Sequence, residues 1–212
     1  MSMSKTFRSI PLSRRLFLAG GALAMTGIGI RATQANVVIG RAVAVAGEVN
    51  RRQENLLEGL KAGANLMDRD FVTTGRDSFA ELALGEDTSL HLGSETELLI
   101  DSFIAGQGGV IELGMGQMVF DRPEGLAKID LTMRTAFGMI GVRGTKFFAG
   151  PNRGVFAVFV EHGRVEVTGG GVTRAVGQGE GVEIKAPGEA PGKVTRWSEA
   201  RIREAYASAG IR

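Results

Sequence analysis

The chain has 212 residues, 25 lysines and arginines against 23 aspartates and glutamates, two histidines and no cysteine. Without a thiol there are no disulfides, thiolate metal sites, cysteine nucleophiles or lipid-modified N-terminal cysteine. With only two histidines, a transition-metal centre is not expected either.

The first elements belong to a leader. Lys5, Arg8, Arg14 and Arg15 precede an apolar run from Leu16 to Ile30, fifteen residues with four glycines. A membrane-crossing helix needs about 20 apolar residues. A charged start, a short apolar stretch and small residues at the end describe a cleaved export signal instead, with cleavage after Ala35. Ser13-Arg14-Arg15-Leu16-Phe17-Leu18 resembles the twin-arginine signal consensus, with Arg14, Arg15, Phe17 and Leu18 in the defining places. The resemblance implies transient contact with the twin-arginine machinery and export of the folded protein to the periplasm. Changing Arg14 and Arg15 to lysine is therefore expected to block export; unchanged periplasmic yield would refute the route. Residues 1–35 hold five basic and no acidic side chains, so the remaining chain has 20 basic against 23 acidic groups, a net charge of −3. The basic surface that nucleic-acid binding requires is missing.

Short strands follow one another. In "AELAL" (80–84), Ala80, Leu82 and Leu84 share a face; in "SLHL" (89–92), Leu90 and Leu92 do, leaving His91 facing solvent. "KIDLTMR" (128–134) points Ile129, Leu131 and Met133 inward, and "RVEV" (164–167) and "GVEI" (181–184) alternate likewise. Period-2 alternation between glycine-rich turns predicts an all-β domain, a compact roll, solenoid or sandwich of short strands. "VFAVFV" (155–160) is apolar on both faces and predicts a central strand. Leu56, Leu57 and Leu60 in "RRQENLLEGLKAG" (51–63) fit one or two helical turns, or a polar loop with a hydrophobic plug. "KAPGEAPGK" (185–193) reads as a linker. Beyond it, Ser198 as cap, Glu199 in the first turn and Gly210 as stop predict a short C-terminal helix packing Trp197, Ile202 and Tyr206 on the β domain. The organisation expected is an export signal over 1–35, a β domain over 36–185, a linker over 186–196 and a helical segment over 197–212.

"AFGMIGVRGTKFFAG" (136–150) is the stretch most open to a chemical reading. A P-loop needs lysine directly after glycine; here Thr145 intervenes and strand-type residues follow. The dinucleotide fingerprint needs G-x-G-x-x-G opening a helix, and a GXXG clamp needs a basic surface. The physical alternative is backbone geometry. Gly138, Gly141 and Gly144 act as hinges in two short strands joined by a kink or bulge, with Arg143 pinning the crossing and Thr145 and Phe147 buried. Elsewhere, His162 lies in a turn. Glu86, Asp87, Glu95, Glu97 and Asp101 could in principle hold a hard cation, but a solvated acidic edge accounts for them. Neither G-x-S-x-G nor H-E-x-x-H occurs. No enzyme activity and no cofactor are expected.

These residues together carry a family resemblance. "GMIGVRGTKFFAG", "VFVEHGRVEV" and "VGQGEGVEI" resemble the second half of the FecR domain family, with its V-x-G-T-x-F core and V-x-x-G-x-V-x-V turn; "GANLMDRDFVTTGRDSFAELALGEDTSLHLGSETELLI" is similar to the first half. The likeness runs over about residues 39–185. The motif residues, taken as structural, are Gly141, Val142, Arg143, Gly144, Thr145, Phe147 and Gly163. Two positions depart from the pattern: Arg69 and Thr88 stand where glycine is common. Iron-transport regulators of this family carry a cytoplasmic sigma-contacting segment and a membrane helix, which 35 residues cannot hold. The resemblance therefore implies the periplasmic sensing domain alone: a non-catalytic binding or signal-relay module for an unidentified periplasmic or membrane protein. A structural module binding glycan or peptidoglycan is the alternative.

Overall fold

The structure, a computed structural model, describes residues 37–211. The leader and its expected features (Arg14, Arg15, Phe17, Leu18 and cleavage after Ala35) lie outside the described residues. The chain enters a first sheet as β1 (Val38–Ala46). It forms a hairpin in a second sheet, β2 (Val49–Gln53) and β3 (Leu56–Gly59), and returns as β4 (Asn65–Met67). It crosses again for β5 (Phe71–Thr74), then places β6 (Phe79–Leu84) and β7 (Thr88–Leu92) in the first sheet and β8 (Glu97–Ile104) and β9 (Gly108–Met115) in the second. β10 (Met118–Asp121) lies in the first, β11 (Asp130–Thr135) and β12 (Gly138–Val142) in the second, and β13 (Lys146–Asn152) and β14 (Val155–His162) in the first. β15 (Arg164–Gly169) and β16 (Val172–Gly177) close the second sheet; β17 (Glu180–Ile184) and β18 (Thr195–Arg196) close the first.

Each sheet thus holds nine strands and advances in step with the other: β4-β1-β6-β7-β10-β13-β14-β17-β18 and β3-β2-β5-β8-β9-β11-β12-β15-β16. Neighbours are antiparallel except β9 and β11, which run parallel. The two sheets do not close into a barrel. Side chains from both interleave in one core, among them Leu82, Leu90, Ile100, Met133, Phe147 and Val182. β6 and β7 alternate strictly between buried and half-buried positions, so the period-2 reading of 80–84 and 89–92 holds.

The outer face of β14 is buried by the helix α1 (Glu199–Ser208). Phe148 and Phe159 meet Trp197, Ala205 and Tyr206 there, with Ile202 packed alongside. The Trp197 ring stacks 5.0 Å from that of Phe159, and the Arg201 guanidinium lies over the Trp197 ring, 3.8 Å from its centroid. Burial first, and then neighbouring Glu161, pushes the Tyr206 hydroxyl above its ordinary value. Ser198 Oγ accepts the Arg201 N–H at 3.4 Å. The helix stops in a Schellman motif: the Gly210 N–H donates to the Ala207 carbonyl and the Ile211 N–H to the Tyr206 carbonyl, with Gly210 at φ +81.

Residues 51–63 are not helical. They form the β2–β3 hairpin with Glu54 at φ 52 in its turn. Leu56 and Leu57 are exposed, and only Leu60 enters the core. The helix-like leucine spacing is overridden by cross-strand pairing, in which Arg51 faces Glu58 and Arg52 faces Leu57. Arg51 also reaches buried Asp70, 3.5 Å away, whose Oδ2 accepts the Met67 N–H at 2.8 Å. Burial pushes the Asp70 carboxyl up against the opposing pull of these donors. Arg69, one of the two departures from the family pattern, adopts φ 66. Its backbone does what glycine does without strain. Arg69→Gly is expected to stabilise the domain by about 0.5–1 kcal/mol, the left-handed penalty less glycine's entropy; a clear loss in denaturant melts would show that the side chain contributes.

Candidate functional site: the sheet crossing, its groove and the open edges

The stretch 138–147 carries the chain from one sheet to the other. β12 ends at Val142 in the second sheet, Arg143 and Gly144 turn, and β13 begins at Lys146 in the first. The connection is a crossing between layers, not a kink or bulge within one. Gly144 turns at φ +64. Gly138 has φ +146, and a Cβ there would lie 2.0 Å from the Thr168 carbonyl oxygen. Both therefore act as backbone devices. Gly141 does not: its φ is ordinary, and a Cβ would come no nearer than 3.9 Å to Glu166.

Thr145 and Phe147 are fully buried. Phe147 stacks on Phe120 with ring centroids 5.4 Å apart. Thr145 sits under the β14–β15 turn. A Cβ on Gly163 would lie 2.6 Å from Thr145 Cγ2 and 2.9 Å from the Gly144 carbonyl oxygen, and Gly163 itself has φ +83. The Gly144-Thr145 pair and Gly163 are thus two sides of one contact, although 18 residues separate Thr145 from Gly163. Val142 is buried in the core behind them.

Arg143 does not pin the crossing. It is exposed and makes no ion pair among the described residues. Arg122, at 3% exposure, takes that part. Its Nη1 donates to Thr88 Oγ1 and its Nη2 to the Ala127 carbonyl, both at 3.2 Å, and its backbone N–H donates to the Thr145 carbonyl. Thr88, the second departure from the family pattern, is the partner Arg122 uses. The signal in the sequence was a lone arginine directly after the apolar strand "MVFD".

Above the crossing lies a groove of about 570 Å³, on the outer face of the second sheet. Gly141 is part of its floor, and Lys128, Asp130, Arg143, Arg164 and Glu166 stand around it. It gathers motif residues, with Val142 and Val165 lining it beside the three cations and two carboxylates.

The other sequence candidates disperse. His91 is half-buried, not solvent-facing: it lines a cleft of about 410 Å³ between the outer face of β6 and β7 and the end of α1, beside Phe79, Glu81 and Ala209. Burial lowers its affinity for a proton, against the carboxylates of Glu81 and Asp121. His162 Nδ1 lies 3.6 Å from Glu124. Glu86 and Asp87 precede β7 and Glu95 follows it, at opposite ends of that strand, while Glu97 and Asp101 lie on β8. Among the described residues no three such groups come together as metal ligands. No described helix is long and apolar enough to cross a membrane.

Four strand edges remain. β4 has three residues and β18 two; beside β18, the Gly192 N–H caps the Glu183 carbonyl at 2.9 Å. β16 is longer but carries exposed Arg174 in its middle. β3 is exposed at every position and carries Leu56 and Leu57 at 62% and 66% exposure.

The described residues thus form a two-sheet β domain with a charged groove, a cleft at His91 and an exposed edge strand. Residues 70–166 match the family model described as FecR protein. No curated protein matches the chain. Two crystal structures of a proposed anti-sigma factor from Parabacteroides distasonis are similar in fold, each with 18% identity and a TM-score of 0.51, covering 63% of this chain and 62% of that one. The chain therefore spans less than two thirds of the length of those structures.

Proposed function

We propose that this protein is a non-catalytic binding and signal-relay module of the bacterial periplasm, and that its partner is another envelope protein. The family match and the fold shared with a proposed anti-sigma factor both support a relay role. The observation that carries the reading is the β3 edge. An edge strand offers a row of unpaired N–H and C=O groups, which folded proteins normally blunt with charge or cover. β3 carries one charge, Glu58, which Arg51 pairs, and beside it presents two exposed leucines. On the outer face, Leu57 lies opposite Arg52, whose guanidinium rests 4.7 Å over the Phe71 ring. An extended segment of a partner adds to β3 as a further strand. A dimer through β3 alone would use four residues a side, where standard interfaces use about 20–30. The glycan-binding alternative draws no support, because Trp197, the single tryptophan, is buried under Arg201.

Crosslinking the tagged protein in the periplasm tests the reading. Capture of a membrane receptor or signalling sensor supports relay. Sedimentation with cell-wall sacculi in place of protein capture would support the structural alternative instead.

A further inference from the structure

We propose that the groove over β12 is a second binding site, one that takes an acidic peptide segment of another protein. The proposal deepens the binding-module reading and rests on it, but it uses a surface apart from β3.

The argument starts from Gly141. It sits inside β12, with Thr132 of β11 on one side and Glu166 of β15 on the other. Glycine inside a strand weakens it by roughly 0.5–1 kcal/mol relative to alanine. Two reasons usually justify that loss. One is a left-handed backbone, which Gly141 lacks. The other is a close neighbour, and none lies nearer than 3.9 Å, an ordinary contact distance. Gly138 and Gly163, by contrast, meet both conditions. A third reason for a strand glycine is the approach of a ligand or a foreign backbone to the sheet face. The outer face of the second sheet is open here, since α1 packs on the first sheet.

The rim identifies the ligand's chemistry. Lys128, Arg143 and Arg164 supply three positive charges, Asp130 and Glu166 two negative ones. None of the five forms an ion pair with a described residue; on the same sheet Arg134 pairs with Glu112 at 3.2 Å, while Arg174 and Glu97 stand unpaired but apart from any such cluster. A neutral ligand would leave the cations unanswered, and a polyanion would be repelled by the two carboxylates. A peptide offers amide donors to Asp130 and Glu166 and, where it carries acidic side chains, carboxylates to Arg143 and Arg164. The missing side chain at Gly141 lets its backbone lie close to the sheet.

The test is a titration of the isotope-labelled full chain with the capped peptide Gly-Glu-Gly-Asp-Gly, followed by amide shifts. The acidic peptide is expected to move Gly141, Arg143, Gly144 and Arg164 together. Its Gln/Asn counterpart should bind about tenfold more weakly, as should the acidic peptide to the Arg143→Ala/Arg164→Ala protein, the usual loss for charge-assisted hydrogen bonds. Gly141→Leu should abolish binding. Gly141→Ala fits the space and keeps the fold, so it should weaken binding while leaving the melting temperature unchanged or higher. Equal binding of the neutral peptide, shifts elsewhere, or wild-type binding by Gly141→Leu would each overturn the proposal. The same shifts from inorganic phosphate alone would overturn the peptide assignment. If the peptide fails while the chain still captures an envelope protein in the periplasm, only the groove falls; if capture fails too, the module reading falls with it.

Discussion

Phe147→Ala is expected to destabilise the domain by about 3–5 kcal/mol, the range for a buried phenylalanine truncated in a closed core. The side chain is fully buried, stacks on Phe120 and lies on β13 at the point where the chain has just crossed between sheets. Its loss opens a cavity between layers that are fixed on both sides by strand pairing, so collapse around it is restricted. For a domain of this size each kcal/mol moves the melting temperature by roughly 2–4 °C. A thermal melt within a degree or two of wild type would contradict the burial.

Gly163→Ala should be nearly as damaging, although it adds a single methyl group. The left-handed backbone costs a non-glycine residue roughly 1–2 kcal/mol. The added Cβ would lie 2.6 Å from Thr145 Cγ2 and 2.9 Å from a backbone oxygen, contacts that real Cβ atoms do not show. Overpacking of this kind typically adds about 1–3 kcal/mol. The two terms separate in a double-mutant cycle. Thr145→Ser removes the offending methyl, so it should recover the part of the steric cost that comes from Cγ2 and leave the left-handed penalty and the clash with the Gly144 carbonyl oxygen. Purely additive effects would mean that Thr145 and Gly163 are not the two halves of one lock.

The strands of the middle of the chain were legible because one of their faces is buried and the other is not. Ala80, Leu82 and Leu84, or Leu131 and Met133, write that contrast directly into a period of two. The C-terminal helix was legible for a local reason as well: Ser198 and Gly210 are capping residues, and capping is decided within one turn. The hairpin at 51–59 was not legible. β3 is exposed on both faces, so it has no alternation to show, and its leucines mimic a helical stripe. The three glycines of 138–144 look alike in the sequence and differ in space. Whether a glycine is a hinge depends on its φ and on what a Cβ would touch, and for Gly138 that is an oxygen of Thr168, 30 residues away. The exposure of Arg143 and the burial of Arg122 depend likewise on what lies across the sheet, such as Thr88, 34 residues from Arg122. The groove and the open edge are products of strand order, which no local pattern encodes.

The most direct test of the binding role is position-specific photocrosslinking in the periplasm from Leu57 on β3 and from Thr173 on β16. The account predicts an adduct with an envelope protein from position 57 that is absent from position 173 and is lost when Leu56 is changed to lysine. Equal adducts from both edges, or an adduct at 57 that survives Leu56→Lys, would contradict it.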